Sequence, residues 1–296
     1  MSDADAAFRR YEEIRPRVPA ARYPLTSLHL PTLSQAADLW DGFVLDAFGV
    51  LNVGETAIPG AVARMADLRA RGKKLCVLTN AASYTRATLL AKYHRLGFDF
   101  TLSEVVSSRD VAVARLGRWP GAHWAAISEK GDSFADIPAR LTDAIANPQA
   151  FDTADAILFL SSNRWTPALQ ERLADALSRH PRPLVVANPD LVAPREDGLT
   201  LEPGLYAHDL IDRLGTPVHW FGKPFADGFA DVVDRMHLAP ARLAMVGDTL
   251  HTDVLGGAAA GMGTVLVTRH GLFAGLDVAP YIARSGIVPD VIVETT

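Results

Sequence analysis

Polar residues capable of phosphate or metal chemistry occur at four places, each next to an apolar run or a glycine turn. Asp46 stands in FVLDAFGVLNVG (43–54), Thr79 and Asn80 close KLCVLTN (74–80), Lys223 lies in FGKP (221–224), and Asp248 with Asp253 falls in VGDTLHTD (246–253). Carboxylates beside glycines can hold Mg2+, a hard cation that prefers oxygen ligands and shares its shell with substrate phosphate. A lysine and a threonine in the same place supply charge and hydrogen bonds to a transferring phosphoryl group. An aspartate nucleophile would form an acyl phosphate and divide hydrolysis into two steps. Singly, each place also reads as an ordinary turn or helix cap. Together they read as metal-assisted phosphoryl transfer.

These residues need elements that converge. FVLDAF (43–48), KLCVLTN (74–80), RLAMVGD (242–248), TVLVT (264–268) and DVIVE (290–294) read as buried strands. Helical spacing of Leu89, Tyr93 and Leu96, and of Phe225, Phe229, Val232, Val233 and Met236, lies between them. Strands alternating with helices predict an α/β fold, a Rossmann-like doubly wound parallel sheet whose strand C-termini open into a ligand crevice. HWAAIS (123–128), AILFLS (156–161) and PLVVAN (183–188), with a helix around Leu169, Leu173 and Leu177, predict a second α/β unit inserted into the first. The expected division is an N-terminal arm over 1–40, a core over 41–117 and 219–296, and an inserted domain over 118–218. The arm carries Arg9, Arg10, Tyr11 and Arg15 and is expected to pack on the core.

A chain of 296 residues with 49% hydrophobic content has room for two such units. A net charge of -5, without charge blocks, gives no footprint for nucleic acid or an anionic membrane, so a small anion needs a local positive site. Cys76 is the single cysteine, which excludes an internal disulfide, and its LCVL setting predicts a buried thiol. No signal-like or membrane-length apolar run is present, and a cytoplasmic location is expected.

The ordered set resembles the haloacid dehalogenase-like hydrolase superfamily: LDAFGVL, LTN, GKP and GDTLHTD match its four motifs over roughly residues 40–296. FGVLNVGETAIPGA, NPDLVAPREDG and GDTLHTDVLGGAAAGM are similar to its class IIA branch, which includes nitrophenyl, phosphoglycolate and pyridoxal phosphate phosphatases and carries an α/β cap between motifs two and three. The resemblance implies Asp46 as nucleophile and metal ligand, Thr79 as phosphoryl-binding residue with Asn80 beside it, and Lys223 as charge neutraliser. It further implies Mg2+ held by Asp46, the Phe48 backbone carbonyl and Asp248, with Asp253 bound directly or through an intermediary. Asn188 and Asp190, in the cap segment that faces the site in similar proteins, are the implied substrate contacts; the same residues also read as a turn near Pro189 and Pro194. A homodimer through the cap is a further implication.

One position departs from the pattern. The superfamily's phosphatases place an aspartate two residues after the nucleophile, where it protonates the leaving group and deprotonates water; here Phe48 stands in its place. Losing general acid or base help typically costs a hundred- to ten-thousand-fold, or roughly 3 to 5 kcal/mol. Three readings follow. A phosphatase acting on a small phosphorylated metabolite has an impaired or substituted proton carrier, with His251 the nearest candidate by sequence. A dehalogenase-like displacement at carbon needs no leaving-group acid, but it has no use for both motif-four aspartates. A non-catalytic or slow homologue binds a phosphometabolite or partner, with Trp40, Trp119, Trp124, Trp165 and Trp220 as interface residues, although core packing is their commoner use. The phosphatase reading leads.

Overall fold

The computed structural model describes residues 3–195 and 198–296; Glu196 and Asp197, inside NPDLVAPREDG, lie outside the described residues. The described strands, in chain order, are β1 (Leu28–Thr32), β2 (Gly42–Leu45), β3 (Asn52–Val53), β4 (Thr56–Ala57), β5 (Lys74–Thr79), β6 (Val105–Ser107), β7 (His123–Ile127), β8 (Arg140–Asp143), β9 (Ala156–Phe159), β10 (Leu184–Val186), β11 (Val192–Arg195), β12 (Gly198–Leu201), β13 (Val218–Trp220), β14 (Leu243–Gly247), β15 (Gly263–Val267) and β16 (Val291–Thr295). A seven-stranded sheet has the order β1-β16-β15-β14-β2-β5-β6, and a five-stranded sheet the order β13-β10-β9-β7-β8. Every pairing in both is parallel.

Parallel sheets are covered on both faces, so their strands are apolar throughout. β2 obeys this: all four residues are buried, with Phe43 and Leu45 in one apolar cluster and Val44 in another. That second cluster joins the two sheets, because Val44, Cys76 and Leu78 of the first share it with Trp124, Leu158 and Val185 of the second. The other face of the second sheet packs Ile127, Ile157, Phe159 and Val186 under Leu173 and Leu177 of helix Pro167–Arg179. Cys76 is buried as expected, and burial pushes its thiol up to about 12.

β2 occupies the switch point of the seven-stranded sheet: β5 and β6 extend one way from it and β14 to β16 the other. Ligands bind at the strand C-termini of such a point. Asp46, Thr79 and Asp248 therefore sit at the same end of three adjacent strands.

Segment 1–40 contributes more than an arm. After helix Ala4–Glu13, residues 28–32 form β1, which extends the seven-stranded sheet by pairing with β16. LHLPT lacks the apolar run that marks a buried strand, because β1 is an edge with Leu28 exposed. The second sheet continues through β13 to Trp220, two residues past 218. Among the described residues no helix is long and apolar enough to cross a membrane.

Candidate active site

Lys223 is the centre of the site's electrostatics. Its ammonium, 2% exposed, lies 2.6 Å from Asp46 Oδ1 and 2.7 Å from Asp253 Oδ1. Burial works against its charge, but Asp253 and Asp46 outweigh that and hold its pKa above the ordinary lysine value. Asp46, Asp248 and Asp253 bring carboxylate oxygens within 4.8 Å of one another. Burial, reinforced by Asp253, raises the pKa of Asp46 despite Lys223, and burial with Asp253 and Asp46 raises that of Asp248. Three buried carboxylates against one ammonium leave local negative charge that a divalent cation would balance. The oxygen-only donor set suits a hard ion.

The backbone around the acids is shaped to admit them. Asp248 Oδ2 accepts from the backbone N–H of Leu272 at 2.7 Å, and its Oδ1 from the Thr249 hydroxyl at 3.0 Å. A Cβ at Gly271 would fall 1.9 Å from Asp248 Oδ2, and one at Gly247 would fall 2.0 Å from Asp253 Cγ. Leu250–Val254 forms a turn of π-helix, an arrangement recurrent at functional sites. Its Asp253 accepts the Thr249 N–H on Oδ2 at 3.0 Å while Oδ1 holds Lys223.

Thr79 is buried at the end of β5, its hydroxyl oxygen accepting from the Ala81 N–H at 3.2 Å. Asn80 ties the Lys223 loop down: its Oδ1 accepts from Lys223 N at 2.8 Å, and its Nδ2 donates to the Lys223 carbonyl at 3.0 Å and to Asp190 Oδ1 at 2.9 Å. Asn188 Oδ1 accepts the Asp190 N–H at 3.0 Å, which is the turn expected there, while its Nδ2 donates to Glu202 Oε2 at 3.0 Å. Asp46, Phe48, Thr79, Asn80, Asn188, Asp190 and Asp248 all line one crevice between the sheets, with about 650 Å³ of space between atoms, partly open to solvent.

Two cations beside the crevice-lining Phe48 carry no sequence signal. Arg195, at the end of β11, places its guanidinium 4.6 Å from the centroid of the Phe48 ring, and Lys92 places its ammonium 5.1 Å from it. The aromatic at position 48 thus lies beside two cations, a cation–π arrangement. Lys92 also bonds the Gly54 carbonyl and Glu55. The sequence reading of the NPD segment stopped at Asn188 and Asp190, and nothing in the helix around Lys92 marked that residue.

His251 is brought close to the acids in sequence and faces elsewhere in space. Its Nε2 lies 2.5 Å from Glu12 Oε1, and its ring stacks on Tyr11 at 4.9 Å between centroids. It is not among the residues lining the crevice. The tryptophans are in ring clusters: Trp40 with Phe43, Trp119 with Trp124, Trp165 with Phe159, and Trp220 with Phe225.

Comparison with known proteins places this geometry in a family. Residues 43–133 match the model described as haloacid dehalogenase-like hydrolase, and residues 220–294 match that of HAD-hydrolase-like proteins. Glycerol-3-phosphate phosphatase of Gallus gallus is 31% identical over 86% of this chain and 89% of its own length. Chronophin of Homo sapiens is 32% identical over 76% of this chain and 80% of its own. Among solved structures, a glycerol phosphate phosphatase from Mycobacterium tuberculosis in complex with magnesium superposes with a TM-score of 0.68 at 26% identity, covering 86% of this chain and 75% of that one. With the acids, lysine and threonine assembled at the switch point and both ends of the sequence matching, the chain belongs to the haloacid dehalogenase-like hydrolase family.

Proposed function

We propose that this protein is a magnesium-dependent phosphatase that hydrolyses a small phosphorylated metabolite through a phosphoryl-aspartate on Asp46. The observation that carries the reading is Asp46 at the end of the central strand, 2.6 Å from the Lys223 ammonium and clustered with Asp248 and Asp253. The glycerol phosphate and chronophin relatives, and the magnesium in the M. tuberculosis structure, support it.

In this reading the five-stranded unit, expected over 118–218, is a cap on the core formed by 41–117 and 219–296. Asp46, the Phe48 carbonyl and Asp248 hold Mg2+, with Asp253 bound directly or through a water. The ion, when bound, supplies positive charge to the phosphoryl oxygens and balances the buried carboxylates. Lys223 keeps Asp46 ionised and in place, and the Thr79 hydroxyl donates to a phosphoryl oxygen. Asp46 attacks phosphorus in line, and water then releases inorganic phosphate and regenerates the carboxylate.

The test is phosphate release from p-nitrophenyl phosphate and glycerol 3-phosphate with Mg2+ and with EDTA. The expected result is turnover with Mg2+ that EDTA removes and that Asp46→Asn lowers roughly a thousandfold or more. Absence of release from every phosphate ester tried, with Mg2+ present, would sink the proposal.

A further inference from the structure

We propose that Asp190 is the proton carrier of this enzyme, donating from the cap the proton that Phe48 cannot donate from the core. The inference rests on the phosphatase reading above. Asp190 lies in the loop after β10 and lines the same crevice as Asp46 and Phe48. Its Oδ1 is fixed by Asn80 Nδ2 at 2.9 Å, and the same side chain grips the backbone of Lys223, whose ammonium touches Asp46. One asparagine thus sets the cap carboxyl in register with the nucleophile. No described residue hydrogen-bonds Asp190 Oδ2.

The direction of the reaction makes the cap the appropriate source. In-line attack by Asp46 drives the leaving oxygen away from the strand ends of the core, toward the second sheet. A carboxyl on the loop after β10 stands on that side. Glu202, which also lines the crevice, accepts from Thr200 and Asn188 on its two oxygens, and His251 lies outside the crevice, bound to Glu12.

The groups facing Asp190 are Lys223, Asp46 and Asp253 of the core and the Tyr11 phenol of the N-terminal helix. Burial holds the Asp190 carboxyl well above the usual carboxylate range; Lys223 opposes this, and Asp46 and Asp253 add to it. Such a carboxyl keeps its proton to higher pH than an exposed aspartate does.

The two steps then balance. As the Asp46 oxygen bonds to phosphorus, the bond from phosphorus to the leaving oxygen breaks, and that oxygen takes the Asp190 proton and departs as an alcohol. As water bonds to phosphorus, the Asp190 carboxylate takes its proton, the bond from phosphorus to Asp46 breaks, and both aspartates return to their starting states.

Asp190→Asn keeps the shape and an oxygen for Asn80 but has no proton to give. The experiment compares kcat/KM for wild type and this variant on p-nitrophenyl, phenyl and glycerol phosphates with Mg2+, alongside thermal melting to verify the fold. The expected loss is about a hundredfold or more for glycerol phosphate, whose leaving group needs the proton, and within a few-fold for p-nitrophenyl phosphate. The basic limb of the wild-type kcat/KM profile on glycerol phosphate should vanish in the variant. A loss equal for all three leaving groups would show that Asp190 only positions Asn80 and would overturn the proposal, as would no loss. If wild type releases phosphate and the variant's loss is uniform, this inference alone falls; if wild type releases none, it falls together with the phosphatase reading.

Discussion

At the residue scale, the three acids facing one lysine are held by fixed partners: Asp46 by Lys223, Asp248 by the Leu272 N–H and the Thr249 hydroxyl, and Asp253 by Lys223 and the Thr249 N–H. Asp248 depends on space left by Gly271, where a Cβ would lie 1.9 Å from its Oδ2. Gly271→Ala should turn the Asp248 carboxylate away and weaken Mg2+ binding by roughly tenfold or more, about 1.4 kcal/mol. Titration calorimetry with Mg2+ measures it, and unchanged affinity would mean that Asp248 contributes little to the ion. The positions of Asp46, Thr79, Lys223, Asp248 and Asp253 were legible because each sits where an apolar run or glycine turn ends. Arg195 and Lys92 were not, because their nearness to Phe48 depends on how a short hairpin and a helix pack, which residue spacing does not encode. His251 had the right neighbours in sequence, yet its position within the π-turn directs it to Glu12.

At the element scale, the buried parallel strands could be read from composition and the edges could not. β1, β8 and β13 lack a fully buried pattern, and β8 and β13 are the edges of the second sheet. Helix Pro203–Leu214 shows a different consequence of packing. His208 on it is buried, stacks on Trp220 at 4.6 Å, and has Nδ1 3.3 Å from Arg17 Nη1. Burial, then Arg17 and Arg10, lowers its pKa from 6.5 to about 3. A depressed folded-state pKa gives stability that is present above the unfolded value and lost as pH falls toward the folded value. Between pH 7 and pH 5 this single group should therefore cost about 2 kcal/mol. Urea unfolding at both pH values, on wild type and His208→Gln, checks it: the drop should be smaller in the variant by roughly that amount, and equal drops would refute the assignment.

At the scale of the whole molecule, the N-terminal helix and the short turn Arg15–Arg17 after it add a second tie between the two sheets, beside the apolar cluster they share. Arg10 and Arg17 both pair with Asp212 on helix Pro203–Leu214. Tyr11 accepts the Leu191 N–H at 3.1 Å beside the crevice loop. On the opposite side, Glu12 and Tyr11 grip His251, and Phe8 packs among Leu250, Val254 and Tyr281. Tyr11→Ala removes a buried ring from both contacts and should cost about 3 kcal/mol in chemical denaturation; a loss below 1 kcal/mol would show that the ring is dispensable. The sequence showed an arm rich in arginine, proline and alanine. Its bridging role arises from the return of the chain through β13, which sets Asp212 and His251 on either side of one short helix.

That bridging has a consequence for how the protein melts. Two lobes joined only by crossover strands would lose their structure separately, the weaker one first. A helix anchored in both makes the loss of either expose the other, so calorimetry should record one endotherm for the intact chain. In a chain carrying both Tyr11→Ala and Asp212→Ala, the apolar cluster shared by Val44, Cys76 and Leu78 with Trp124, Leu158 and Val185 still couples the lobes, so the trace should keep one endotherm, shifted to lower temperature.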